Sequence, residues 1–95
     1  MFDTERGAQL LKALANPLRL SIAVHLREGE LCVHDLVERT GVAQPLVSQH
    51  LTVLRSAGVI AGTRQGREVI YRLTDEHISH IVLDALTHAS EGGTR

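Results

Sequence analysis

At 95 residues, 43% of them hydrophobic but only 2% aromatic, the chain is long enough for one folded domain with an aliphatic core, and too apolar to be read as disordered. No window approaches 18 uninterrupted apolar residues and MFDTERGAQL carries acids but no apolar h-region, so neither a membrane span nor a signal peptide is expected, and a cytoplasmic location is. The net charge of −1 is unevenly laid out: residues 39 to 72 hold Arg39, Arg55, Arg64, Arg67 and Arg72 against Glu68 alone, whereas residues 73 to 95 hold Asp75, Glu76, Asp84 and Glu91 against Arg95 alone.

In chain order, TERGAQLLKALA has Leu10, Leu11 and Leu14 at helical spacing, with Thr4 placed as cap. NPLRLSIAVHLREGE begins a second helix with Asn16 as N-cap and Pro17 at the first helical position, where a missing N–H costs nothing. Leu18, Ile22 and Leu26 form its apolar stripe and Gly29 closes it. LCVHDLVERTG predicts a short third helix that stops at Gly41, a residue able to take the left-handed conformation of a helix end. VAQPLVSQHLTVLRSAGV predicts a fourth helix, with Pro45 in its first turn and Val47, Leu51 and Leu54 on one face. The connection around Gly41 to Ala43 has the length of the tight turn in a helix-turn-helix. After Gly58 the period changes, and VIAGTRQGREVIYRLT predicts a β-hairpin turning at Gln65-Gly66. A last helix is expected from about Asp75 to Ala89, ahead of a frayed EGGTR. A chain this short buries a modest share of its surface, which favours a dimer.

A helix-turn-helix followed by a basic hairpin is a winged helix. The stretches ELCVHDLVERTGVAQPLVSQHLTVLRSAGVI and RQGREVIYRL resemble the ArsR/SmtB family of metal-responsive repressors, and the resemblance covers about residues 8 to 91. The expected fold is mainly α with a small β-hairpin, a dimeric winged helix-turn-helix. The helix-turn-helix falls at about 32–57, the wing at about 59–73, and a C-terminal dimerisation and metal-binding helix at about 75–90. The resemblance implies a homodimer on palindromic double-stranded operator DNA.

A helix in the major groove offers its N-terminal side chains to base edges, which singles out Gln44, Ser48 and Gln49. Arg64 and Arg67 flank the hairpin tip, where a cation reaches phosphate or the adjacent minor groove. The plainer alternative is a capped, solvated helix and a wet basic surface. His50, beside Leu51, suits a packed structural role as well as a DNA contact.

Asp75, His77, His88 and Glu91 have the character of metal ligands, but they are split between the two ends of one helix. Eleven residues separate the histidines by roughly 16 Å along the axis and about 20° in azimuth, so they share a face but cannot share an ion. Two antiparallel copies of the helix would bring Asp75 and His77 of one protomer to His88 and Glu91 of the other, two sites per dimer. The same pattern is similar to the zinc-sensing members of the family, and two imidazoles with two carboxylates suit Zn(II), with Co(II) or Ni(II) as rivals. The alternative is a solvated face of His77, His80 and His88, with Asp75 favouring the helix N-terminus and Thr74 capping it. His80 and Asp84 are spare donors.

Cys32 and His34 occupy the position at which soft-metal sensors of the family carry two cysteines, and one thiolate with one imidazole is an incomplete set. A buried, inert Cys32 is expected; a signal read by thiol modification is the rival. An enzyme is not: residues two apart on a helix point about 200° apart, so Cys32 and His34 make a poor nucleophile–base pair.

Overall fold

The computed structural model describes residues 1–92. Its elements run α1 (Thr4–Leu14), α2 (Pro17–Arg27), β1 (Leu31–Cys32), α3 (Val33–Thr40), α4 (Gln44–Ser56), β2 (Ile60–Gln65), β3 (Glu68–Leu73) and α5 (Glu76–Gly92). The expectation of a frayed end falls mainly on residues 93–95, outside the described residues.

The helix starts follow from local chemistry. Asn16 caps α2 by accepting from the Arg19 N–H at 3.0 Å, with Pro17 in the first turn as expected. At α1 the cap is Asp3, which accepts from the Arg6 N–H at 3.1 Å; Thr4 is instead the first helical residue. The carboxylate one position earlier is an equally good acceptor and carries charge toward the helix N-terminus. At α5 the cap is Asp75, whose Oδ1 accepts from the Ile78 N–H at 3.2 Å. Thr74 does not cap it; its hydroxyl donates to the Gly58 carbonyl at 2.9 Å and ties the hairpin exit to the end of α4.

The third predicted helix is shorter than expected. Leu31 and Cys32 form a two-residue strand that pairs antiparallel with β3, Leu31 opposite Tyr71 and Cys32 opposite Ile70. The hairpin is therefore part of a three-stranded sheet in the order β1-β3-β2. Its turn also lies one residue later: Gln65 pairs with Glu68, leaving Gly66 and Arg67 as the two-residue loop.

The core is aliphatic. Ile22, Leu36, Val47, Leu51, Leu54, Val59, Ile60 and Val82 are essentially inaccessible, and one cluster joins residues of every helix with Leu31 of β1 and Ile60 of β2. Non-polar burial of this kind supplies about 25 cal/mol per Å² and has no direction. Direction comes from polar ties such as Arg27 Nε to Ser79 Oγ at 2.8 Å, which joins the end of α2 to the first turns of α5.

Candidate nucleic-acid and metal sites

Gly41, at φ 71°, ends α3 in the left-handed conformation, and its N–H bonds the Val37 carbonyl at 2.9 Å. Three residues later α4 begins. Val47, Leu51 and Leu54 are buried, so the opposite side of α4 is set outward; Gln49 is exposed on that side, Gln44 is exposed as the first residue of the helix, and Ser48 is half-buried. Two of the three expected base readers are thus presented freely. The third stands on the flank of the same turn.

The fold brings the start of α4 to the tip of the hairpin. A cleft of about 280 Å³ between them is lined by Gln44, His34, Cys32 and, from the wing, Arg67, Glu68 and Tyr71. Arg64, opposite Val69, is exposed one pair inside the tip. Arg67 and Arg64 therefore occupy one end of the hairpin, and Gln44 faces the same cleft as Arg67. Arg72 adds a cation lower on the wing, where its Nη1 donates to Thr63 Oγ1 at 3.4 Å. The basic count of the sequence included Arg72, but its spacing from the tip gave no reason to single it out.

On α5 the four predicted ligands take the positions that helical geometry requires. Asp75 caps the helix and lies with Oδ1 3.7 Å from His77 Nδ1. His77, His88 and Glu91 are exposed, on the side away from buried Ile78 and Val82. Within one chain, among the described residues, no three His, Cys, Asp or Glu side chains converge closely enough to hold a metal ion. That agrees with the roughly 16 Å separation of the two ends. Between those ends, Ile81 and Ala85 border an apolar groove shared with Leu11, Leu14, Ala15 and Leu20.

Cys32 is buried at the mouth of α3. Its Sγ donates to Asp35 Oδ2 at 3.3 Å, and the same oxygen accepts the Cys32 N–H at 3.1 Å, so one carboxylate holds both polar donors of the residue that precedes α3. Burial pushes the thiol above its ordinary value, while the backbone N–H of Cys32 holds the Asp35 carboxyl below the usual carboxylate range. His34 shares the cleft with Cys32, but its exposed ring lies with Nε2 3.9 Å from Glu38, and among the described residues no third His, Cys, Asp or Glu joins the two to hold an ion.

One contact had no signal in the sequence. His50 is half-buried and turned toward α2, where its Nδ1 lies 3.2 Å from Arg19 Nη1. Thirty-one residues separate the pair, beyond any helical or hairpin period. The structure gives His50 the packed role among its two sequence alternatives.

Comparison with known proteins agrees with this architecture. Residues 16–61 match the family described as bacterial regulatory protein, arsR family. The HTH-type transcriptional repressor SmtB of Mycobacterium tuberculosis is 56% identical over 87 residues, covering 92% of this chain and 64% of the repressor. This chain thus spans a little under two thirds of that relative's length. The HTH-type transcriptional regulator NmtR of the same organism is 42% identical over 90 residues, covering 92% of this chain and 75% of the regulator. Among solved structures, the homodimeric winged helix-turn-helix DNA-binding domain of a possible ArsR-family transcriptional regulator from Mycobacterium bovis superposes with a TM-score of 0.86 at 31% identity, covering 93% of this chain and 82% of that one. The transcriptional repressor BigR from Xylella fastidiosa gives 0.80 at 37% identity, covering 88% and 86%. With this sequence similarity, the α3-turn-α4 unit and the basic wing in one fold, the chain belongs to the ArsR family of bacterial regulatory proteins.

Proposed function

We propose that the chain acts as a homodimeric transcriptional repressor that grips a palindromic operator without metal and lets it go when Zn(II) joins the two C-terminal helices. Gln44, Ser48 and Gln49 read base edges in the major groove, and Arg64 and Arg67 hold the flanking phosphates or minor groove. That the relatives SmtB and NmtR are a transcriptional repressor and a transcriptional regulator supports the regulatory part of this reading.

The observation that carries the metal part is the exposure of His77 and His88 along one side of α5, at opposite ends, each with a carboxylate nearby. The donor chemistry fits. His77 is 92% exposed at its side chain, so recruiting it disrupts no core contact, and Asp75 keeps a second oxygen beyond the one that caps α5. Asp75 and His77 of one protomer with His88 and Glu91 of its partner supply two nitrogens and two carboxylates, a set that suits tetrahedral Zn(II) and also accepts Co(II). Only a difference in affinity between two conformations shifts their populations, so the DNA-bound dimer must hold the ion less well than the free one. By reciprocity, operator DNA weakens zinc binding by the same factor.

The test is an anisotropy titration of an operator palindrome at fixed salt, with chelator and then with Zn(II), on wild type and His88→Ala. Wild type is expected to lose affinity on the order of tenfold or more with zinc, a coupling within the usual allosteric range, and His88→Ala to lose none. Wild-type affinity indifferent to zinc would remove the metal part and leave DNA binding standing.

A further inference from the structure

Arg19 is held at three points. Its own N–H bonds the Asn16 cap at 3.0 Å, its Nε donates to the Ala13 carbonyl at 2.6 Å, and its Nη1 meets His50 Nδ1 at 3.2 Å. Ala13 lies in the last turn of α1, where carbonyls lack intrahelical partners, so the guanidinium caps α1 while reaching α4. A guanidinium has no acceptor, so in this contact Nη1 donates and His50 Nδ1 is the acceptor. One side chain thereby fixes the α1–α2 corner against the middle of α4, one residue from Gln49.

Among the described residues, the buried side chains by which α4 packs on the body are aliphatic. Val47, Leu51 and Leu54 bury fully, but non-polar burial lets a helix slide or rotate by small amounts at little cost, whereas a hydrogen bond weakens steeply with angle. Bidentate base reading tolerates little misplacement. We propose that Arg19 and His50 are positioning residues for DNA recognition, a polar strut that sets the rotation of α4 and with it the aim of Gln44 and Gln49. The inference rests on the reading that α4 enters the major groove. It adds that the corner carrying α1 holds α4 in register.

A merely structural role would weaken binding to all DNA alike. A positioning role weakens operator binding selectively, because sequence-independent affinity comes from cations on phosphate and not from the aim of α4. The variants are His50→Phe, which keeps a ring and removes the acceptor, His50→Asn, which keeps an acceptor near the Nδ1 position, Arg19→Met, and the double variant Arg19→Met/His50→Phe. Each is titrated against operator and against unrelated duplex at the same salt, well below its unfolding midpoint by circular dichroism. His50→Phe and Arg19→Met are expected to lose about tenfold in operator affinity, the scale of one charge-assisted hydrogen bond, with unrelated duplex unchanged within about twofold. His50→Asn should recover most of the loss, and the double variant should bind no worse than Arg19→Met alone.

Equal losses on operator and unrelated duplex, operator affinity unchanged in folded His50→Phe, or additive losses in the double variant would each overturn the strut. Gln49→Ala is measured alongside. If it leaves base preference untouched, the reading role of α4 falls and the strut with it; if it changes preference while His50→Phe does nothing, the strut alone falls.

Discussion

Cys32 is the most reactive side chain by type and among the least available by placement. It is buried, its Sγ donates to Asp35, and burial raises its pKa above the ordinary 9.0, so the thiolate that reacts is scarce near neutral pH. Alkylation by iodoacetamide at about pH 7.5 should therefore run at least roughly tenfold slower in the native protein than in urea. Equal rates would restore thiol modification as a candidate signal. The linked carboxylate gives a second readout. The Asp35 pKa is lowered on folding, so its contribution is full above the ordinary value of 3.8 and is lost as pH falls through the lower folded value. Asp35→Ala should flatten the acid limb of the thermal-stability profile below about pH 4 and leave the slope at neutral pH alone. An unchanged acid limb would mean that other carboxylates carry it. A buried Cys32 was expected from the sequence, where one cysteine with one histidine is an incomplete ligand set. The Asp35 bond was not, since it depends on where α3 begins.

Among the elements, the wing depends most on a single backbone angle. Gly66 has φ 62° and, among the described residues, no non-glycine residue has positive φ, so the two-residue loop has the sense of a II′ turn, with glycine first and Arg67 second. Gly66→Ala forces an L-residue into that conformation at a cost of about 1–2 kcal/mol, which for a domain of this size lowers Tm by several degrees, about 4–8 °C per kcal/mol. Operator affinity should fall as well, because the strained turn displaces Arg67. A variant with unchanged Tm and affinity would mean that the tip rearranges freely and does not set the position of Arg67. The hairpin itself could be read from alternation of residue types and the Gln65-Gly66-Arg67 run, with a register error of one residue. β1 could not. Leu31 and Cys32 are too few to show a period, and their partners Tyr71 and Ile70 lie about forty residues on, so only the folded sheet reveals them. The helix-turn-helix was the most legible part, because apolar spacing and Gly41 are local signals. The Arg19–His50 contact was the least, being purely tertiary.

For the whole molecule, the feature that local chemistry leaves open is the apolar side shared by α1 and α5. The chain measures 45 × 36 × 21 Å with a radius of gyration of 13.7 Å. A compact chain of this length has about 12 Å. The excess is accompanied by exposed apolar side chains on the two helices: Leu11 is 56% exposed, Leu83 42% and Ile81 36%. The groove that Leu11 and Ile81 border, about 250 Å³, lies between the two ends of the candidate quartet. An antiparallel pairing of α5 with its copy that sets His77 against His88 places the two-fold axis at the level of residues 82 and 83, with Ile81 on the facing side and close to the partner's Ala85. Helical periodicity made the shared azimuth of His77 and His88 readable in the sequence; the proposed convergence of the candidate ligands could not be read there, since it would involve two chains. Ile81→Glu tests dimer and metal site together. It sets two like charges near a symmetry axis in an apolar surface, where uncompensated charge is costly, so the dimer dissociation constant should rise on the order of a hundredfold by sedimentation. The monomer should keep its fold, because a partly exposed position contributes within about 0.5 kcal/mol. Loss of dimer should then remove both high-affinity zinc binding and tight operator binding, the first because each site needs two chains and the second because each half-site is held alone. If Ile81→Glu stays dimeric, the interface lies elsewhere. If it is monomeric yet binds zinc as tightly as wild type, the ion is held within one chain and the intersubunit site is wrong.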